Sequence, residues 1–283
     1  MKKTAVIHLA KTAGFCFGVR RAIRLAYELA QSGGTTHMLG DLVHNQEVIA
    51  RLEKAGIKKI SRLGSGHGKI LLVRAHGAGK RLLVKAQRRG YAIADATCPM
   101  VHTIHKIVRK MDRKGYRIIV LGDRRHEEVQ GIVGQIGKKT LVIDRIDRIP
   151  LATIKKIKKA AIVVQSTQNM DNILPMVSAL RGKIKEVRFF NTICKPTRMK
   201  QAEMKDLPRF NDVVIVIGSR ASANTRRLFE ISRSLNPRSY WIEKAAEIKP
   251  GWFKKARRIG ITAGASTPEL TTRSVIGKIR KII

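Results

Sequence analysis

Short runs rich in β-branched residues alternate with amphipathic stretches along almost the whole chain. Apolar runs at 5–9, 37–43, 69–76, 92–97, 117–122, 140–144, 162–166, 186–191, 213–219, 239–243 and 258–263 predict strands. Between many of them the period lengthens to that of a helix. From Val19, apolar side chains recur at Ala22, Ile23, Ala26, Tyr27 and Ala30, with Arg20, Arg21, Arg24 and Glu28 on the opposite face. After Cys98 a narrower stripe runs through Val101, Ile104, Val108 and Met111. Helices between successive strands let those strands run parallel with both faces of the sheet covered. The pattern predicts an α/β protein with mainly parallel sheets.

At 283 residues the chain exceeds one ordinary core, so two or three compact units are expected. Its longest apolar runs fall far short of a membrane span, and no membrane partner is expected. The opening MKKTAVIHLAKTAGF has the basic start of a secretory signal, but His8 and Lys11 interrupt its apolar part, so none is expected.

Charge changes the picture more. Lys+Arg number 58 against 20 Asp+Glu, a net +38 spread along the chain instead of gathered in one arm. Such a field attracts nucleic acid, anionic metabolites and acidic proteins alike. Aromatics are only 5 % and no RNA-recognition motif is evident, so the charge leaves nucleic acid open as a partner without identifying it.

The three cysteines, Cys16, Cys98 and Cys194, each stand where a strand-like segment or its loop gives way to a helix. Pro99 and Pro196 suit the first helical turn after two of them. Three is not a disulfide framework, and the odd count leaves a free or ligating thiol, which fits a reducing cytoplasm. No CxxC pair is present, which excludes ribbon-type zinc and ferredoxin-type spacing. Taken singly, each cysteine reads as a buried packing residue. Three helix N-termini meeting would instead seat an anionic iron–sulfur cluster. Periodicity leaves open whether they meet.

Ligands of open α/β sheets bind beyond the carboxyl ends of strands. Here those ends carry His44-Asn45, Ala75-His76-Gly77, His126-Glu127-Glu128, Ser166-Thr167, Ser222-Ala223-Asn224 and Ala265-Ser266. Hydroxyls, amides, imidazoles and backbone N–H groups near glycine suit a diphosphate, although ordinary N-caps use the same residues. The Walker loop and GxGxxG are absent. Acids are scarce, so Glu128 beside a histidine loop is a candidate proton donor, or else an ordinary first-turn glutamate facing the helix dipole. A metal site of His44, His76 and His126 is the rival use of the histidines.

Read together, GFCFGV, VHNQEV, AHG, DATCPMV, HEEVQG, QSTQN, CKPTRMKQ, GSRASAN and TAGASTPE resemble the 4-hydroxy-3-methylbut-2-enyl diphosphate reductases of the non-mevalonate isoprenoid pathway, in the family's order from Gly14 to Glu269. The resemblance implies a trefoil of three α/β domains, 14–97, 98–193 and 194–283, with 1–13 adding a strand to the third. It implies a central [4Fe–4S] cluster held by Cys16, Cys98 and Cys194, with one iron open to the substrate hydroxyl. His44, His76, Ser222, Asn224 and Ser266 would bind the diphosphate. His126 would bind or polarise the substrate, and Glu128 with Ser166 would supply protons. The reaction would be reductive dehydration of an allylic diphosphate to isopentenyl and dimethylallyl diphosphate. Electrons would come from an acidic donor such as ferredoxin or flavodoxin.

Five residues depart from the family's pattern: Ala223 for a second serine, Ser166 for threonine, Arg74 for a small or apolar residue, Glu127 for proline and Glu269 for aspartate. The alternatives are a basic RNA-binding protein on a reductase-like scaffold and a zinc-dependent hydrolase.

Overall fold

The computed structural model describes residues 5–136 and 140–283. Residues 1–4, the start of the 1–13 segment assigned above to the third domain, lie outside the described residues. In chain order the strands are β1 (Val6–Leu9), β2 (Thr35–Leu39), β3 (Lys58–Ile60), β4 (Lys69–Val73), β5 (Ala92–Asp95), β6 (Arg117–Leu121), β7 (Leu141–Ile143), β8 (Lys159–Val164), β9 (Glu186–Phe190), β10 (Val213–Ile217), β11 (Ser239–Ile242) and β12 (Arg258–Ala263). The α-helices are α1 (Phe17–Gln31), α2 (Gln46–Lys54), α3 (Lys80–Arg88), α4 (Pro99–Arg113), α5 (Glu127–Val133), α6 (Leu151–Ile154), α7 (Met170–Arg181), α8 (Lys195–Asp206), α9 (Ala223–Leu235) and α10 (Glu269–Arg280).

These strands form three four-stranded sheets, ordered β1-β12-β10-β11, β3-β2-β4-β5 and β7-β6-β8-β9. Every neighbouring pair is parallel. The fold is therefore α/β. The chain divides into two compact units. One comprises Met1–Arg20, His44–Val48 and Lys195–Ile283 and contains the first sheet. The other comprises Arg21–Val43 and Ile49–Cys194 and contains the other two sheets.

In the first unit β10 is buried along its whole length. Burying each of its aliphatic side chains stabilises the sheet by about 2 kcal/mol. One face packs on Phe253, Val275 and Ile279, the other on Met204 and Leu228. In the second unit, β6 and β8 lie between two apolar layers. Ile173, Val177 and Leu180 of α7 cover one face, and Ile104, Val108 and Met111 of α4 the other. The α4 stripe is the one visible in the sequence.

Two strand expectations are corrected. β3, Lys58-Lys59-Ile60, is a strand without an apolar run: it is a short edge strand with both lysines exposed, and charge on an edge blocks further pairing. The run 37–43 pairs as a strand only over Thr35–Leu39. Gly40 then turns the chain at φ 75°, a left-handed conformation that side chains disfavour. Among the described residues, no helix is long and apolar enough to cross a membrane.

Candidate functional site

Every candidate side chain named above stands beyond the carboxyl end of a strand. In the larger unit, His76 follows β4, Cys98 follows β5, His126 follows β6, Ser166 follows β8 and Cys194 follows β9. In the smaller unit, Cys16 follows β1, Ser222 and Asn224 follow β10, and Ser266 follows β12. His44, also of that unit, comes after β2.

Within the larger unit Ser166 is the hub. Its backbone N–H donates to Glu128 Oε1 at 2.6 Å and its hydroxyl donates to Oε2 at 2.7 Å. Its carbonyl accepts from the Cys194 N–H at 3.0 Å. The candidate acid and the backbone of Cys194 are therefore tied to the same residue. Glu128 is 1 % exposed. Loss of water pushes its carboxyl up from 4.5 to about 7, against the two Ser166 hydrogen bonds, which favour the ionised form. Burial therefore favours its protonated form near neutrality. This carboxylate is buried in the first turn of α5 and bonded across the sheet, not turned outward to the dipole as the ordinary reading of a first-turn glutamate would have it.

His126 caps the same helix. Its Nδ1 accepts from the Glu128 N–H at 3.1 Å, so the neutral ring carries its proton on Nε2. The His76 ring meets the His126 ring edge-on with centroids 5.5 Å apart. Two of the departures also meet here. Arg74 Nη1 pairs with Glu127 Oε1 at 2.5 Å, and Glu127 Oε2 lies 3.5 Å from His76 Nδ1. The two charged replacements thus compensate one another beside a candidate ligand-binding histidine. Cys98, the residue before α4, is fixed by its N–H on Ala75 O at 3.0 Å. Close approach of Gly79 to Gly134 lets the first turn of α3 abut the end of α5, where an added Cβ at Gly79 would lie 2.9 Å from Gly134 Cα.

In the smaller unit Cys16 precedes α1, its N–H on Ala265 O at 3.2 Å. Ser266 donates to the His44 carbonyl at 3.0 Å, which brings two of the proposed diphosphate residues together. Ser222 caps α9 by accepting from the Thr225 N–H. Next to it, Asn224 is 4 % exposed and neither its amide nitrogen nor its oxygen has a hydrogen-bond partner. An unsatisfied buried amide costs about 1–3 kcal/mol, so the fold alone gives no return for burying this side chain.

The thiols suit a cluster. All three cysteines are free and partly exposed, each next to a helix N-terminus, and the chain has no fourth. Soft sulfur donors beside helix N-termini are of the kind that suits an anionic iron–sulfur group.

Two buried or half-buried groups escaped sequence reasoning. Lys200 is 3 % exposed and Glu203 half-buried, one helical turn apart on α8. The scarcity of acids that singled out Glu128 applies equally to Glu203. Other histidines bond elsewhere: His8 to Asn211, His37 to Tyr91 and His102 to Asp95. His105 is buried and pushed down to about 4, foremost by desolvation.

The family model described as LytB protein matches residues 7–280. The 4-hydroxy-3-methylbut-2-enyl diphosphate reductase of Geobacter metallireducens is 43 % identical over 276 residues, 98 % of this chain and 97 % of that one. The reductase of Aquifex aeolicus is 38 % identical over 280 residues, 98 % and 96 % of the two chains. Among solved structures, one described as (E)-4-hydroxy-3-methyl-but-2-enyl diphosphate reductase, the terminal enzyme of the non-mevalonate pathway, superposes with TM-score 0.73 at 37 % identity. It covers 98 % of this chain and 100 % of its own. The corresponding reductase of Plasmodium falciparum superposes with TM-score 0.87 at 27 % identity, over 97 % and 87 %. This chain belongs to the LytB protein family.

Proposed function

We infer that the chain is an oxidoreductase that converts 4-hydroxy-3-methylbut-2-enyl diphosphate into isopentenyl and dimethylallyl diphosphate. In this reaction the allylic C–O bond breaks and its oxygen leaves as water. Two electrons enter the carbon frame, one proton goes to the leaving oxygen and one to either end of the allyl unit. Glu128 carries the reading: it is a buried carboxyl whose protonated form burial favours, tied through Ser166 to the backbone of Cys194.

Cys16, Cys98 and Cys194 would hold a [4Fe–4S] cluster, which when bound supplies the electrons and a Lewis-acidic iron. The other steps belong to side chains. Asn224, Ser222, Ser266, His44 and His76 would anchor the diphosphate, which orients the distant hydroxyl. His126 would donate from Nε2 to a substrate oxygen. Glu128 would protonate the departing hydroxyl, with Ser166 oriented to reload it. As domains we propose 14–97, 98–193 and 194–283 in a trefoil about the cluster, with 1–13 in the third. In support, each segment holds the strands of one sheet, and β1 pairs with β12.

As electron donor we propose an acidic redox protein such as ferredoxin or flavodoxin, met in the cytoplasm. A groove of about 820 Å³ between α3 and α4, lined by Lys80, Arg81, Lys85, Arg88, Arg109 and Arg113, offers it a positive face. Membership of the LytB family gives no support to the RNA-binding or zinc-hydrolase readings.

The test is anaerobic iron and acid-labile sulfide analysis of the protein and of Cys16→Ser, Cys98→Ser and Cys194→Ser. About four irons per chain are expected in the parent, as a [4Fe–4S] cluster requires, and loss of the cluster in each variant. A parent that stays colourless and iron-free after reconstitution overturns the reading.

A further inference from the structure

Lys200 is a buried lysine of the smaller unit to which the proposed function gives no role. It is 3 % exposed. A buried ammonium survives only when its protons are bonded and opposite charge is near. All three protons are used: Nζ donates to Gly14 O at 3.0 Å, to Ala263 O at 3.2 Å and to Thr12 O. Gly14 is in the left-handed region at φ 87°, so the chain turns sharply there, and the ammonium gathers the carbonyls on both sides of that turn. Ala263 O also accepts from the Gly14 N–H.

One turn further along α8, Glu203 holds the same loop from its other side. Oε1 accepts from the Lys11 N–H, and Oε2 from the Thr12 N–H and hydroxyl. Residues 11–14 are therefore gripped by a cation on their carbonyls and an anion on their N–H groups. Cys16 follows two residues later. Desolvation pushes Lys200 down to about 8, while Cys16 and Glu203 favour its charged form and Arg20 opposes it. The ammonium is thus within electrostatic reach of the thiol.

We propose that Lys200 is a positioning residue for Cys16: with Glu203 it clamps the loop that presents the thiol at the end of the sheet, and its buried ammonium acts electrostatically on that ligand. The second half rests on Cys16 being a cluster ligand, as inferred above, whereas the clamp stands without it. A cation next to an anionic cluster favours the more negative, reduced form, so the wild-type potential would lie above that of a variant lacking the charge.

The experiment compares wild type, Lys200→Met, which keeps length and removes charge, and Lys200→Arg, which keeps charge. Hydrogen exchange is followed in the iron-free protein at the Gly14 and Cys16 amides, with β10 as an internal control for global folding. In Lys200→Met those two amides should exchange at least about tenfold faster, the effect of losing roughly one charge-assisted hydrogen bond, with β10 unchanged. Lys200→Arg should lie nearer wild type. After reconstitution, the midpoint potential should fall in Lys200→Met and recover in Lys200→Arg.

Unchanged exchange at Gly14 and Cys16 in Lys200→Met overturns the clamp. Faster exchange with an unaltered potential overturns the electrostatic half, since a merely structural lysine would leave the potential where it was. If Lys200→Met does not fold, Glu203→Gln replaces it: faster exchange at the Thr12 amide supports the clamp, and unchanged exchange overturns it. Failure of all variants and wild type to take up iron, with the exchange result intact, removes the cluster reading and leaves the clamp standing.

Discussion

Replacing Glu128 by Gln separates its proton from its geometry. The Gln oxygen can still accept from the Ser166 N–H, and the Ser166 hydroxyl can turn to accept from the new amide. Only the titrating proton is lost. The carboxyl moves from 4.5 to about 7, a shift worth about 3 kcal/mol. Because the folded-state value is raised, this stabilisation is fully present below pH 4.5 and is lost as pH rises through about 7. A proton donor with that value is loaded on the acid side. Turnover driven by a small neutral reductant should therefore be level below neutrality and fall about tenfold per pH unit well above about 7. Glu128→Gln should lower kcat by about 10²–10⁴-fold and abolish that alkaline limb. The assay is kcat against pH on anaerobically reconstituted enzyme, normalised to cluster content. A variant keeping more than a tenth of wild-type kcat, or an alkaline limb that persists in Gln, would refute the assignment.

Asn224→Leu should stabilise the iron-free protein, since an unsatisfied buried amide is removed, by about 1–2 kcal/mol or a Tm rise of roughly 2–4 °C. The same variant should raise KM for the diphosphate at least about tenfold; a lower Tm with unchanged KM would mark Asn224 as structural. Arg74→Ala and Glu127→Ala should each weaken substrate binding more than the double variant does, with a coupling of about 1 kcal/mol for this partly buried pair. Additive effects in a double-mutant cycle on KM would contradict their compensation. Arg88→Glu with Arg113→Glu in the α3–α4 groove should slow turnover with an acidic protein donor and blunt its salt dependence, while a small neutral reductant works as before. Equal slowing with both reductants would show that the groove serves the enzyme in another way.

The alternating pattern carried the α/β class and most strands, because parallel strands covered on both faces read as continuous apolar runs. Val213–Ile217 is the clearest case, buried throughout. β3 lacked that signature because its two lysines are what protect an edge. The site's side chains were legible as strand-end residues, since ligand groups gather where strands stop. Their bonding was not. Nothing in local sequence joins Ser166 to Glu128, or shows that Arg74 and Glu127, two departures far apart in the chain, neutralise one another. Lys200 looked like one more of 58 basic residues until its burial and its three carbonyl partners were visible.

The most direct measurement is product analysis of the cluster-loaded protein given 4-hydroxy-3-methylbut-2-enyl diphosphate and a reductant under anaerobic conditions. The account predicts that substrate is consumed with two electrons per molecule and that both isopentenyl and dimethylallyl diphosphate are formed. Cluster-loaded protein that binds the diphosphate but forms neither product would contradict it.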